Sequence, residues 1–102
     1  MQLRIVQFDV KISENQVKCL NETLRMQLGR YTQIIEIVNV LFKNDTDQFG
    51  QKIIQCSVVL ELLPEGSAET SNTATTIEEA FYNSVSRAKR QLERQRRSSK
   101  RQ

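Results

Sequence analysis

QIIEIVNVLFK, residues 33–43, is the segment on which the fold turns. It is β-branched and apolar, and it is too short for a typical helix between the signals that flank it, so it reads as a strand. Before it, QLRIVQF reads as a first strand at about 2–9. Between the two strands lies a helical pattern. Ser13 with Gln16 three positions on forms a capping box, and Val17, Leu20, Leu24 and Leu28 recur at helical spacing. Gly29 suits the left-handed position that ends a helix, which sets the first helix at about 14–28. A strand, a helix and a second strand in one sheet imply a parallel crossover.

Downstream of this unit, NDTDQFG (44–50) is a polar connector, and QKIIQCSVVLELL (51–63) is a third strand. In that strand Ile54, Cys56, Val58, Leu60 and Leu62 share one face. LPEG (63–66) fits a type I turn, with Pro64 second and Gly66 fourth. SAETSNTAT (67–75) is a weaker pattern and reads as an edge strand. Residues 76–97 are the clearest element. Thr75 or Thr76 caps the helix, and Glu78 and Glu79 complement its dipole in the first turn. Ile77, Ala80, Phe81, Val85, Ala88 and Leu92 form the apolar stripe. The expected fold is α+β, in the order β-α-β-β-β-α: a four-stranded mixed sheet with both helices packed on one face. Residues 1–97 form a single domain, and 98–102 are expected to be a disordered basic tail.

The second strand is apolar on both parities, with Ile35, Ile37 and Leu41 assigned to the open sheet face. Two readings stay open there: a crowded strand interior, or a self-association surface giving a weak homodimer through the sheet.

Charge is distributed unevenly. The chain carries 15 Lys and Arg against 12 Asp and Glu, a net +3. Residues 1–86 have a net charge of −4, and residues 87–102 a net charge of +7. Such asymmetry points to a nucleic-acid or membrane partner. No apolar run is long enough to span a bilayer, and the N-terminus lacks signal-peptide character, so a cytoplasmic protein with no membrane partner is expected. Cys19 and Cys56 have no second cysteine pair and no histidine beside them, which excludes the usual zinc arrangements. Cys19 projects away from the leucine stripe and is expected to be an exposed free thiol. No disulfide is expected in a reducing compartment.

At 100° per residue, Arg87, Arg90, Arg94, Arg97 and Arg101 return to nearly one angle, covering an arc of about 80° and about 21 Å of helix axis. The apolar stripe lies about 150° away. Lys89, Arg96 and Lys100 form an adjacent row, and Arg30 lies just past the first helix. A dipole-complementing helix end accounts for two or three such charges, not for five in register. Guanidinium forks match phosphates bidentately, so Arg87, Lys89, Arg90, Arg94, Arg97, Arg101 and Arg30 are the candidate RNA-binding residues. Nothing interleaves aromatic with basic residues to read bases, so structured RNA recognised by shape fits best. An enzyme is not expected. There is no histidine, no nucleophile beside a base, no Gly-rich phosphate loop and no paired carboxylates in an apolar setting. Asp45 and Asp47 read as a solvated loop. No cofactor, metal or small-molecule substrate is implied.

The element order, the opening MQLRI, KISENQVKCL leading into the first helix, and RQLERQ near the end of the last one together resemble the short hibernation-promoting factor and ribosome-associated inhibitor (sigma-54 modulation protein) family. The resemblance spans almost the whole chain. It implies two helices on one face of a four-stranded sheet. It also implies binding to rRNA of the small ribosomal subunit through the last helix, with Arg87, Arg90, Arg94 and Arg97 in matching places, and a block of the mRNA/tRNA channel in stationary phase or stress. Two alternatives remain at this level: a general structured-RNA-binding module, and a protein-interaction or regulatory module using the open sheet face.

Overall fold

A computed structural model of the chain describes the backbone of residues 1–100, with the side chains of Phe8 and of residues 97–100 outside the description. Strand β1 (Gln2–Phe8) leads to helix α1 (Glu14–Leu28) and a 3₁₀ turn (Gly29–Tyr31). Strands β2 (Ile35–Thr46), β3 (Lys52–Leu62) and β4 (Ser67–Ala74) follow, and helix α2 (Ile77–Lys100) closes the order. The sheet order is β1-β2-β3-β4. β1 runs parallel to β2, and the other two pairings are antiparallel, so this is an α+β fold with a mixed sheet, as expected. The backbone of α2 is helical to Lys100, past the boundary at 97 where the sequence pattern places a tail.

At the start of α1, the Gln16 N–H donates to Ser13 Oγ at 3.1 Å, and the Ser13 N–H donates to Gln16 Oε1 at 2.9 Å. That reciprocal pair satisfies two otherwise orphaned donors. Leu20, Leu24 and Leu28 are buried, while Val17 at the edge of the stripe is half-buried. Val38, Val40 and Phe42 of β2 face Cys56, Val58 and Leu60 of β3 across the register, and all six are buried. α2 lays Ile77, Ala80, Phe81, Val85, Ala88 and Leu92 over them. The rings of Phe42 and Phe81 lie 6.1 Å apart in a tilted arrangement. Two buried polar side chains fasten α2 to the sheet. Ser84 Oγ donates to the Cys56 carbonyl at 3.0 Å, and Thr70 Oγ1 donates to the Ser84 carbonyl at 2.8 Å. Burial pushes the Cys56 thiol up to about 11, which leaves it protonated, while Cys19 is exposed and free, as expected.

Several sequence expectations change. Asn44, Asp45 and Thr46, read as part of a polar connector, extend β2 and pair with β3. Gly29 takes ordinary right-handed helical angles (φ −56°) because the chain continues into the 3₁₀ turn instead of reversing at a left-handed residue. Residues 63–66 do not form the type I turn: the Leu63–Pro64 peptide is cis, and the loop closes through the Leu62 N–H to the Gly66 carbonyl, with Gly66 at φ +105°. Ile35 does not lie on the open face. A register shift between Ile35 and Ile37 turns it inward, where it is only 1 % exposed. Ile37 and Leu41 keep the open face and are half-buried there, Ile37 opposite Gln2 and Glu61 and Leu41 between Ser57 and the exposed Val6.

Candidate nucleic-acid interface

Strand β4 is an edge strand, and alternate residues along it aim their backbone N–H and C=O groups away from β3. Helix α2 covers part of that edge with its glutamines. Gln91 uses both ends of its amide on one residue: its Oε1 accepts from the Glu69 N–H at 3.0 Å, and its Nε2 donates to the Glu69 carbonyl at 2.8 Å. One turn on, Gln95 Nε2 donates to the Ser67 carbonyl at 3.0 Å. Hydrogen bonds of this kind contribute about 0.5–1.5 kcal/mol each. Their larger role here is rotational, because they fix which side of α2 faces β4.

That rotation places the arginines. The first turn is capped, with Thr76 Oγ1 accepting from the Glu79 N–H at 3.2 Å, and packing on the sheet sets the rotation of the helix. The buried stripe down to Leu92 holds it. Arg87, Arg90 and Arg94 are exposed and line one groove of about 410 Å³ with Glu69, Thr70, Ser71 and Gln91. Three guanidiniums beside a strand edge can take successive phosphate oxygens by bidentate hydrogen bonds.

The remaining candidate residues are placed elsewhere. Arg30 lies exposed in the 3₁₀ turn, next to the buried ring of Tyr31 and on the other flank of α2. There the Tyr31 hydroxyl donates to Glu93 Oε2 at 2.7 Å, and the Arg96 guanidinium carbon sits 5.6 Å from the Tyr31 ring centroid. The hydrogen bond to Glu93, together with burial and the carboxylate's charge, raises the Tyr31 hydroxyl above its ordinary value, partly offset by the Arg30 guanidinium. Lys89 is half-buried and does not line the groove. The Arg97 side chain and Arg101 lie outside the described residues. Of the seven candidates, the structure therefore brings Arg87, Arg90 and Arg94 together and separates Arg30 from them. Helical angle alone missed the contribution of β4. The signal that could have found it is Gln91 and Gln95, two amides four residues apart between the arginines and the apolar stripe.

The open sheet face is polar along much of its length. Asn39 Nδ2 donates to Glu61 Oε2 at 3.1 Å, and Gln55 and Ser57 both reach Ser71 Oγ. Among the described residues no cluster of His, Cys, Asp or Glu could hold a metal ion, and no helix is long and apolar enough to cross a membrane.

A parallel β1–β2 pair extended by an antiparallel meander, with two helices on one face, is a fold already seen in solved structures. Two of the solved structures that share it show the extent of the likeness. The N-terminal domain of Protein Y from Thermus thermophilus superposes with a TM-score of 0.68 at 16% identity, over 91% of this chain and 93% of that one. A ribosomal subunit interface protein from Coxiella burnetii gives 0.67 at 15% identity, over 94% and 98%. No family model and no curated protein sequence matches the chain. At these identities the likeness is one of fold.

Proposed function

We propose that this chain is a ribosome-associated translation inhibitor. It binds the small ribosomal subunit by setting the arginines of α2 against rRNA phosphates, and its folded body blocks the channel used by mRNA and tRNA when growth stops. The observation that carries this reading is the groove where Arg87, Arg90 and Arg94 line up along the β4 edge. The shared fold supports it, since one of the two neighbours is a ribosomal subunit interface protein by name. The role is one of binding and occlusion in the cytoplasm and needs no catalytic step.

The test is sedimentation of the chain with purified small subunits at two salt concentrations. Binding should weaken with salt at a slope of roughly −0.7 to −0.9 per phosphate engaged. The double variant Arg90→Glu, Arg94→Glu should lose co-sedimentation while keeping its thermal transition, because both side chains are exposed. Undiminished binding by that variant would overturn the reading. A general structured-RNA binder would instead be competed off the subunit by excess duplex RNA.

A further inference from the structure

The hairpin between β2 and β3 outruns the rest of the sheet. Pairing of β1 with β2 stops at Lys43, and pairing of β4 with β3 stops at Ile54. Beyond those points the hairpin continues alone, with Asp45 opposite Ile53 and Thr46 opposite Lys52. Its base is tied down where the Asn44 side-chain amide donates to the Asp9 carbonyl. Its tip is closely bonded. Asp47 Oδ1 accepts from the N–H groups of Phe49 at 2.8 Å and Gln51 at 2.9 Å. The Asp47 N–H donates to the Gln51 carbonyl, the Gly50 N–H donates to the Asp47 carbonyl, and Gly50 supplies the φ of +79° that the turn requires. At the end of this braced loop the Phe49 side chain is 80 % exposed.

A single exposed apolar residue is ordinary on a protein surface. A phenylalanine fixed at the end of a projecting, hydrogen-bonded loop differs in one respect. Little backbone entropy of the loop remains to be lost when the residue enters a pocket, and that favours an interface anchor. The charge around it selects the kind of pocket. Asp45 and Asp47 lie on the hairpin, Asp9 follows β1, and Glu14, Glu78 and Glu79 start the helices at the same end of the fold, against Lys11, Lys43 and Lys52. The arginine groove runs the other way along α2, whose Gln95 reaches the start of β4. On the hairpin itself Asp45 and Asp47 are balanced by Lys43 and Lys52, so the acidic excess of this end comes from Asp9, Glu14, Glu78 and Glu79 at its base, while the opposite stretch of α2 is basic.

We infer that the β2–β3 hairpin is a protein-docking finger. Phe49 enters an apolar pocket on a basic protein of the ribosomal subunit, and the surrounding carboxylates face the basic rim of that pocket. The inference rests on the ribosomal reading above but uses a different surface. Two measurements on purified small subunits test it. Phe49→Ala removes a side chain with almost no contacts in the fold, so the thermal transition should stay in place while subunit affinity falls about tenfold. Phe49→benzoylphenylalanine, irradiated on the subunit, should give an adduct that survives ribonuclease and has the summed mass of the chain and one ribosomal protein. A cross-link lost to ribonuclease would mean that the tip touches RNA, and unchanged affinity of Phe49→Ala would mean that it anchors nothing. Either result overturns the finger while leaving the arginine groove standing. Failure of the unaltered chain to bind subunits would remove both.

Discussion

Arg94 and Arg96 stand two residues apart on α2, yet they face different neighbours. Arg94 lines the groove along the β4 edge with Arg87 and Arg90. Arg96 lies over the Tyr31 ring, whose hydroxyl is bonded to Glu93. One flank of the helix turns guanidiniums into an open groove; the other uses its guanidinium to join α2 to the 3₁₀ turn after α1. The difference shows that a count of basic residues overstates a binding surface. What a cation does depends on the face its helix turns toward other parts of the fold.

Substitutions can break or sharpen this contrast. The largest effect is expected beneath both flanks. Leu92, 1 % exposed, is the last apolar residue that seats α2, and Leu92→Ala should destabilise the chain by about 2–5 kcal/mol in urea melts. A loss under about 1 kcal/mol would mean that the arginine-bearing segment is not anchored, and neither flank would then have a fixed orientation.

A smaller effect separates the flanks themselves. Arg96→Ala should cost about 0.5–1 kcal/mol of stability through its lost contact with the Tyr31 ring, with subunit binding nearly intact. Arg94→Ala should do the reverse, leaving the melt unchanged and reducing the salt slope of binding by about 0.9. If the two variants behave alike in both measurements, the distinction between the flanks is wrong.

The smallest effect concerns pH. The Tyr31 hydroxyl is raised from its ordinary 10.0, so the folded state holds this proton more tightly than the unfolded state. The resulting stabilisation is fully present below 10.0 and is lost as pH climbs from there through the higher folded-state value. Tyr31→Phe should therefore show a stability deficit that is constant across neutral pH and shrinks above 10.0. A deficit that stays constant to high pH would place the interaction with Glu93 elsewhere.

Much of the architecture was legible in local pattern. The Ser13–Gln16 capping box, the leucines of α1, the alternation in β3 and the stripe of α2 are short-range signals, and each appears where its spacing places it. Gly29 departs from its pattern for a local reason, the 3₁₀ turn that follows at once, whereas Ile35 and the 63–66 loop depend on how the chain is joined to something remote. The inward turn of Ile35 needs the pairing of β2 with β3, and the loop after β3 is held partly by the Leu63 N–H donating to the Ile34 carbonyl. Strand β4, the faintest pattern in the sequence, is ordered by pairing with β3 and by the glutamines of α2.

The candidate site divides in the same way. By itself the sequence determined that arginines recur at one angle along a helix with an apolar underside, because period and polarity are properties of a single segment. Only the tertiary structure decided that Arg87, Arg90 and Arg94 share a groove with a strand edge while Arg30 and Arg96 flank Tyr31 on the other side. It alone also set Phe49 at the end of a free hairpin. The physical reason is that a helical wheel gives relative angles around an axis, whereas rotation of that axis against the sheet is set by burial of Leu92 and by the bonds of Gln91 to Glu69, residues far apart in the chain.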